Sequence, residues 1–226
     1  MTEAEWLACE DPQKMLEFLH EYAVDRELRL FACACCRRIW HLFPDEPDRA
    51  AIEVAEQYVD GQVEHRALSP FHHDFKERLR QADRYAPLDC ALFFTTNHMM
   101  TTHDFDTGRY IPAAAAESAV DSAGDAVAEA REQARLLRDI FGYLFYRPAA
   151  FDPQWPRGPF DPAWRTGTAT VLAKQMYESR DFGAMPILAD ALQDAGCDTT
   201  EILDHCRGPG PHVRGCWVVD LVLDKG

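Results

Sequence analysis

A chain of 226 residues with 47% hydrophobic content is long enough to bury one sizeable core or two small ones, which excludes a globally disordered protein. Its net charge of −15 excludes a general nucleic-acid binder, because phosphate contacts need a basic surface. The same charge suits solubility or docking on a partner with a basic surface.

The opening MTEAEWLACE carries acids where a secretory leader has a basic segment, and no apolar run is long enough to span a bilayer. Eight cysteines without a leader predict reduced thiols and a cytoplasmic protein, not a disulfide framework. No membrane partner and no nucleic-acid partner is expected.

Asp11-Pro12 sets a helix cap before a proline at the first helical position. Met15, Leu16, Leu19, Tyr22 and Ala23 then form an amphipathic stripe. Residues 28–42, LRLFACACCRRIWHL, hold three of the eight cysteines and predict one largely buried helix with Asp25 as its cap. Leu28, Phe31, Cys35, Ile39 and Leu42 share one face, and Cys33, Cys36 and Trp40 form a stripe beside it. Arg37 and Arg38 stand near the C-terminal end, where positive charge suits the helix dipole.

After FPDEPD, Asp48 is expected to cap a helix whose inner face is Ala51, Ile52, Ala55, Tyr58 and Val59, with Gly61 near its end. Ser69-Pro70 starts another, with Phe71, Phe75, Leu79 and Ala82 inward and Pro87 as its bound. Residues 90–100 predict a buried helix, with a strand as the alternative that their threonines allow, and residues 101–112 a loop. Val120, Ala123, Val127, Ala130, Ala134, Leu137 and Phe141 step by three and four, which predicts a long helix with Gly142 as its end signal.

Residues 147–168 are rich in proline, glycine and tryptophan. Phe151, Trp155, Phe160 and Trp164 make them too apolar for a free linker, so an ordered connector is expected. Four short helices are predicted after it: 169–179, 186–195, 199–207 with Asp198 and Glu201 as a capping box, and a last one starting at Pro211. The expectation is an all-α fold: an irregular multi-helix bundle over 1–146, the connector, and a C-terminal helical cap over 169–226, packed as one domain.

LRLFACACCRRIWHL, LLRDIFG, MPILADALQDAGC and GPGPHVRGCWVVDLVL resemble a family of uncharacterised bacterial proteins with an alanine-rich middle. The resemblance covers the first and last thirds of the chain. It implies no catalytic residues, since the family has no assigned activity. Between Ser69 and Arg109 this chain departs from the pattern, with histidines and aromatics in place of alanines.

Four chemistries are candidates. Cys33, Cys35 and Cys36 have redox spacing but sit in mid-helix, where the dipole does little to lower a thiol pKa; small buried hydrophobes are the plainer reading. His72, His73, Asp74, His98, His103, Asp104 and Asp106 loosely resemble the metal site of HD-type phosphohydrolases, with a solvated face as the plainer reading. Residues 186–207 have helix-turn-helix length, but the second helix is too acidic for a major groove. No nucleophile elbow, dinucleotide fingerprint or phosphate loop occurs.

The fourth is a structural zinc site. Cys33 and Cys36 are three apart on a helix, and His212 and Cys216 are four apart near the last helix, which would close a Cys₃His tetrahedron, with His205 and Cys206 as reserve ligands. The leading functional expectation is a non-enzymatic interaction or adaptor module for a protein partner. The alternative is a metal-dependent hydrolase built on the histidines of region 72–106. At physiological salt the chain is expected to show no measurable affinity for duplex DNA; a salt-sensitive gel shift at modest protein concentration overturns that.

Overall fold

The computed structural model describes residues 1–19, 25–43, 45–81, 87–97, 116–117, 119–121, 124–142, 144 and 160–225. The fold is all-α: the described residues form α-helices and short 3₁₀ turns, with no strand among them. None of these helices is long and apolar enough to cross a membrane. The chain divides into two compact units, Met1–Leu137 and Arg138–Gly226. That division falls inside a helix and ahead of the connector at 147–168, of which the described part begins at Phe160.

In the first unit, α1 (Glu3–Ala8) opens with a capping box. Thr2 Oγ1 accepts from Glu5 N–H, and Glu5 returns a carboxylate to Thr2 N–H at 2.7 Å. This short helix precedes the first element expected from the sequence. In α2 (Pro12–Leu19) Asp11 caps as expected, its carboxylate accepting from Gln13 and Lys14 N–H. Trp6, Met15, Leu16 and Leu19 are buried; Tyr22 and Ala23 lie outside the described residues.

The cysteine segment is α3 (Asp25–Arg38), and it differs from expectation at both ends. Asp25 is its first residue rather than a cap before residue 28, and it stops at Arg38 instead of 42. Trp40–Leu42 is a 3₁₀ turn, with Leu42 N–H on Ile39 C=O and Phe43 N–H on Trp40 C=O. Tightening to i→i+3 bonds is a common way to satisfy the last carbonyls of a helix. All ten residues from Glu27 to Cys36 are buried, so α3 is the central rod of this unit. Burial pushes the Cys33 and Cys35 thiols well above their ordinary value and Cys36 to about 11. They pack as small buried groups, and their burial disfavours the thiolate that redox chemistry needs.

Helices α4 (Glu46–Val59) and α6 (Pro87–Thr95) pack on α3, and α5 (Ser69–Gln81) packs on α6. Ala51, Ile52, Ala55 and Phe75 are buried as predicted, while Tyr58, Val59, Phe71 and Leu79 are half-buried. Asp48 does not cap α4. It lies in the first turn, buried, and accepts from Arg78 at 2.8 Å. The 90–100 segment forms a helix that ends at Thr95, where the Thr95 and Thr96 hydroxyls bond back to Ala91 and Leu92 C=O. The buried Arg29 guanidinium then takes up the Thr95 and Asn97 carbonyls at 2.9 and 2.6 Å. Arg37 and Arg38 do more than meet the dipole. Arg37 forks the buried Glu56 at 2.9 and 2.8 Å, and Arg38 holds the buried Glu129 at 3.0 Å.

The long helix is α7 (Ala126–Phe141), shorter than predicted at its start. Asp125 caps it by accepting from Val127 and Ala128 N–H. Val127 is therefore in the first turn and 63% exposed, contrary to its place on the predicted stripe. Ala134, Leu137 and Phe141 are fully buried.

The second unit holds α8 (Gly167–Ser179), α9 (Met185–Asp194), α10 (Thr200–Arg207) and α11 (Trp217–Leu223). Phe160, Met176, Leu188, Leu192, Cys206 and Val218 are among the buried residues of its core, and Trp164 packs on it half-buried. Trp155 lies outside the described residues. Thr199, whose side chain makes no capping bond, is the residue before α10, and the expected Asp198/Glu201 capping box is not formed. The last helix begins at Trp217, not Pro211; the residues between form a loop and turn.

Leu137→Asp places an unpaired carboxylate at a fully buried position and is expected to lower stability by more than about 3 kcal/mol. Thermal unfolding near the wild-type midpoint would remove Leu137 from the core.

Candidate metal centre

Asp139 sits in the last turn of α7, His205 in the last turn of α10, and His212 and Cys216 at either end of the turn that leads into α11. Each is placed by its element's apolar side. Ile140 and Phe141 are buried beside Asp139, Ile202 and Cys206 beside His205, and Trp217 to Val219 after Cys216. The turn closes through Cys216 N–H on Val213 C=O at 2.9 Å. Gly210 lets the loop approach: its φ is +72°, and a β-carbon there would meet His212 N at 3.1 Å.

Asp139 is the hub. Its Oδ1 is 2.7 Å from His212 Nδ1 and 3.2 Å from His205 Nε2, and its Oδ2 accepts from Val213 N–H at 2.9 Å. Cys216 Sγ is 3.2 Å from His205 Nε2 and 3.9 Å from His212 Nδ1. One ligand atom from each of the four residues lies within 4.8 Å of all the others, and the group could hold a metal ion. Tetrahedral zinc bonds imply ligand edges of about 3.3 Å between nitrogen and oxygen and about 3.6 Å from sulfur to nitrogen. Both nitrogen–oxygen edges, 2.7 and 3.2 Å, are shorter than that value, and the sulfur–nitrogen edges, 3.2 and 3.9 Å, lie on either side of theirs, so a cation would require the ligands to shift by up to about 0.6 Å.

Burial alone would push the Asp139 carboxyl up; the two imidazoles bonded to it outweigh that and hold it below its ordinary value. Burial, and then the Asp139 charge, push the Cys216 thiol well above its ordinary value. A neutral thiol beside an ionised carboxylate is what a cation would change, since a coordinating thiol is deprotonated outright. The same residue types occur in Cys-His-Asp nucleophile relays, but a relay uses opposite nitrogens of one imidazole for the thiol and the carboxylate. Here His205 Nε2 faces both, and Cys216 is fully buried. The atoms converge on a point instead of forming a chain.

From the zinc set expected in the sequence, the structure brings together His212 and Cys216 and joins to them the reserve ligand His205. The fourth member, Asp139, was missed. A lone carboxylate next to a helical apolar stripe carries no local mark of ligation. Cys33 and Cys36 belong to the first unit, where Cys36 Sγ is 3.4 Å from Thr95 Oγ1. The other reserve ligand, Cys206, is outside the group, and burial pushes its thiol up to about 12. Of the hydrolase residues, His72 stacks on Phe93 with centroids 4.4 Å apart, and His73 and Asp74 are exposed. His98, His103, Asp104 and Asp106 lie outside the described residues.

Compared with known protein-family models, curated proteins and solved structures, the chain matches none of them.

A carboxylate with a lowered folded pKa gives stability above its unfolded value, near pH 4, and that stability is lost as pH falls through the folded value. In metal-free protein, Asp139→Asn is therefore expected to cost about 1–3 kcal/mol at pH 6, and less at pH 3. Urea unfolding at both pH values measures the gap, and an equal gap at the two would show that the Asp139 charge contributes nothing.

Proposed function

We propose that the protein is a non-enzymatic helical interaction or adaptor module whose C-terminal unit is organised by a structural zinc ion held by Asp139, His205, His212 and Cys216. The closed donor set carries this reading. Structural zinc sites have four protein ligands, whereas catalytic sites keep one position for water or substrate. Two imidazoles, one thiolate and one carboxylate complete the tetrahedron, and three of the four side chains are at least nine-tenths buried. Bound zinc would neutralise the buried Asp139 and Cys216 charges and add its binding energy to the folded state. The net charge of −15 favours a protein partner with a basic surface.

Native mass spectrometry of the purified chain is expected to find about one zinc per chain. Cys216→Ser is expected to lose it, and Cys36→Ser to keep it. Azide added to the cobalt(II)-substituted chain is expected to leave the visible spectrum unchanged. A metal-free chain that unfolds identically with and without chelator refutes the zinc site. A spectral shift with azide reveals an open position and moves the reading to a metal-dependent hydrolase.

A further inference from the structure

Gly142 follows the last residue of α7, and the sequence marks it as an end signal. Its φ is not in the left-handed region, so no turn requires a glycine there. What requires it is room. A β-carbon at 142 would lie 2.6 Å from Trp217 Nε1 and 2.8 Å from Trp217 Cδ1, closer than real contacts allow. The indole cannot swing aside cheaply, because Trp217 is only 5% exposed within the core of the unit.

The same indole faces the metal centre. Its ring is 5.1 Å from the His205 ring at 58°, and the His205 ring is 4.9 Å from that of His212 at 68°. Three rings thus stand in a row, and the two imidazoles both reach Asp139 Oδ1. His205 is the most exposed of the four side chains, at 18%, and so has the most freedom to turn. The contact also joins ligand-bearing segments: Gly142 is three residues after Asp139, and Trp217 is next to Cys216.

We infer that Gly142 and Trp217 are positioning residues of the metal centre. The glycine leaves a pocket, the indole fills it, and the indole fixes the His205 ring plane from which Nε2 meets the other three donors. This inference rests on the metal reading above. Supporting shells of this kind change metal affinity by about 10- to 100-fold when removed.

The test is cobalt(II) titration of the full chain, read by visible absorption. Wild type is expected to give a tetrahedral d–d spectrum with a thiolate charge-transfer band. Gly142→Ala and Trp217→Leu are each expected to bind about tenfold more weakly, with altered d–d bands, while Trp217→Phe stays within about threefold. Because both act through one contact, the double variant Gly142→Ala/Trp217→Leu is expected to bind no more weakly than Trp217→Leu alone. Losses that multiply in the double variant, or singles that stay within about twofold with an unchanged spectrum, overturn the inference while leaving the metal site standing. If Gly142→Ala does not fold, the difference between Trp217→Leu and Trp217→Phe decides: equal affinities overturn the inference. No cobalt uptake by wild type removes the metal reading itself, and this inference with it.

Discussion

A carboxylate whose side chain is 2% exposed must be compensated by hydrogen bonds or opposite charge, since its desolvation otherwise opposes folding. Asp139 meets that constraint with two imidazoles and one backbone N–H drawn from segments more than 60 residues further along the chain. The last turn of α7, the end of α10 and the turn into α11 are thereby fixed at one point. The buried Cys216 thiol is drawn into the same place, and a cation there would satisfy all four groups at once.

The first unit solves the same problem with arginines. Arg29 is fully buried in α3 and takes up the free carbonyls at the end of α6, so a helix terminus that would expose unsatisfied oxygens is closed from inside. Arg37 and Arg38 leave the end of α3 in different directions and hold Glu56 and Glu129, each itself buried. Breaking one member of such a pair leaves an uncompensated charge, which makes these contacts specific even where their net stabilisation is small.

Chemistry follows from which atoms meet, more than from which residue types are present. A thiol, two histidines and an aspartate are enough to write a nucleophile relay. Yet a relay needs the imidazole between its partners, with one nitrogen for each. In this chain each histidine offers the same nitrogen to the carboxylate and towards the sulfur. That arrangement suits a shared cation, for which a buried thiol is no obstacle.

The amino-acid sequence determined the helices. Three- and four-residue spacing placed the buried residues of α2, α4 and the later turns of α7, and the cap at Asp11 is a local event between neighbours. It also marked His212, Cys216 and His205, because their short spacings bring them close whatever the rest does. Boundaries were less legible. Back-bonding threonines end α6, and the true cap of α7 at Asp125 leaves Val127 in solvent, so competition among weak local bonds decided what periodicity left open. Asp139, Arg29 and the need for Gly142 were decided by tertiary structure alone. Each depends on groups at least 66 residues away, Thr95 and Asn97 for Arg29, His205 and His212 for Asp139, Trp217 for Gly142. A local pattern cannot encode a partner that only packing brings into contact.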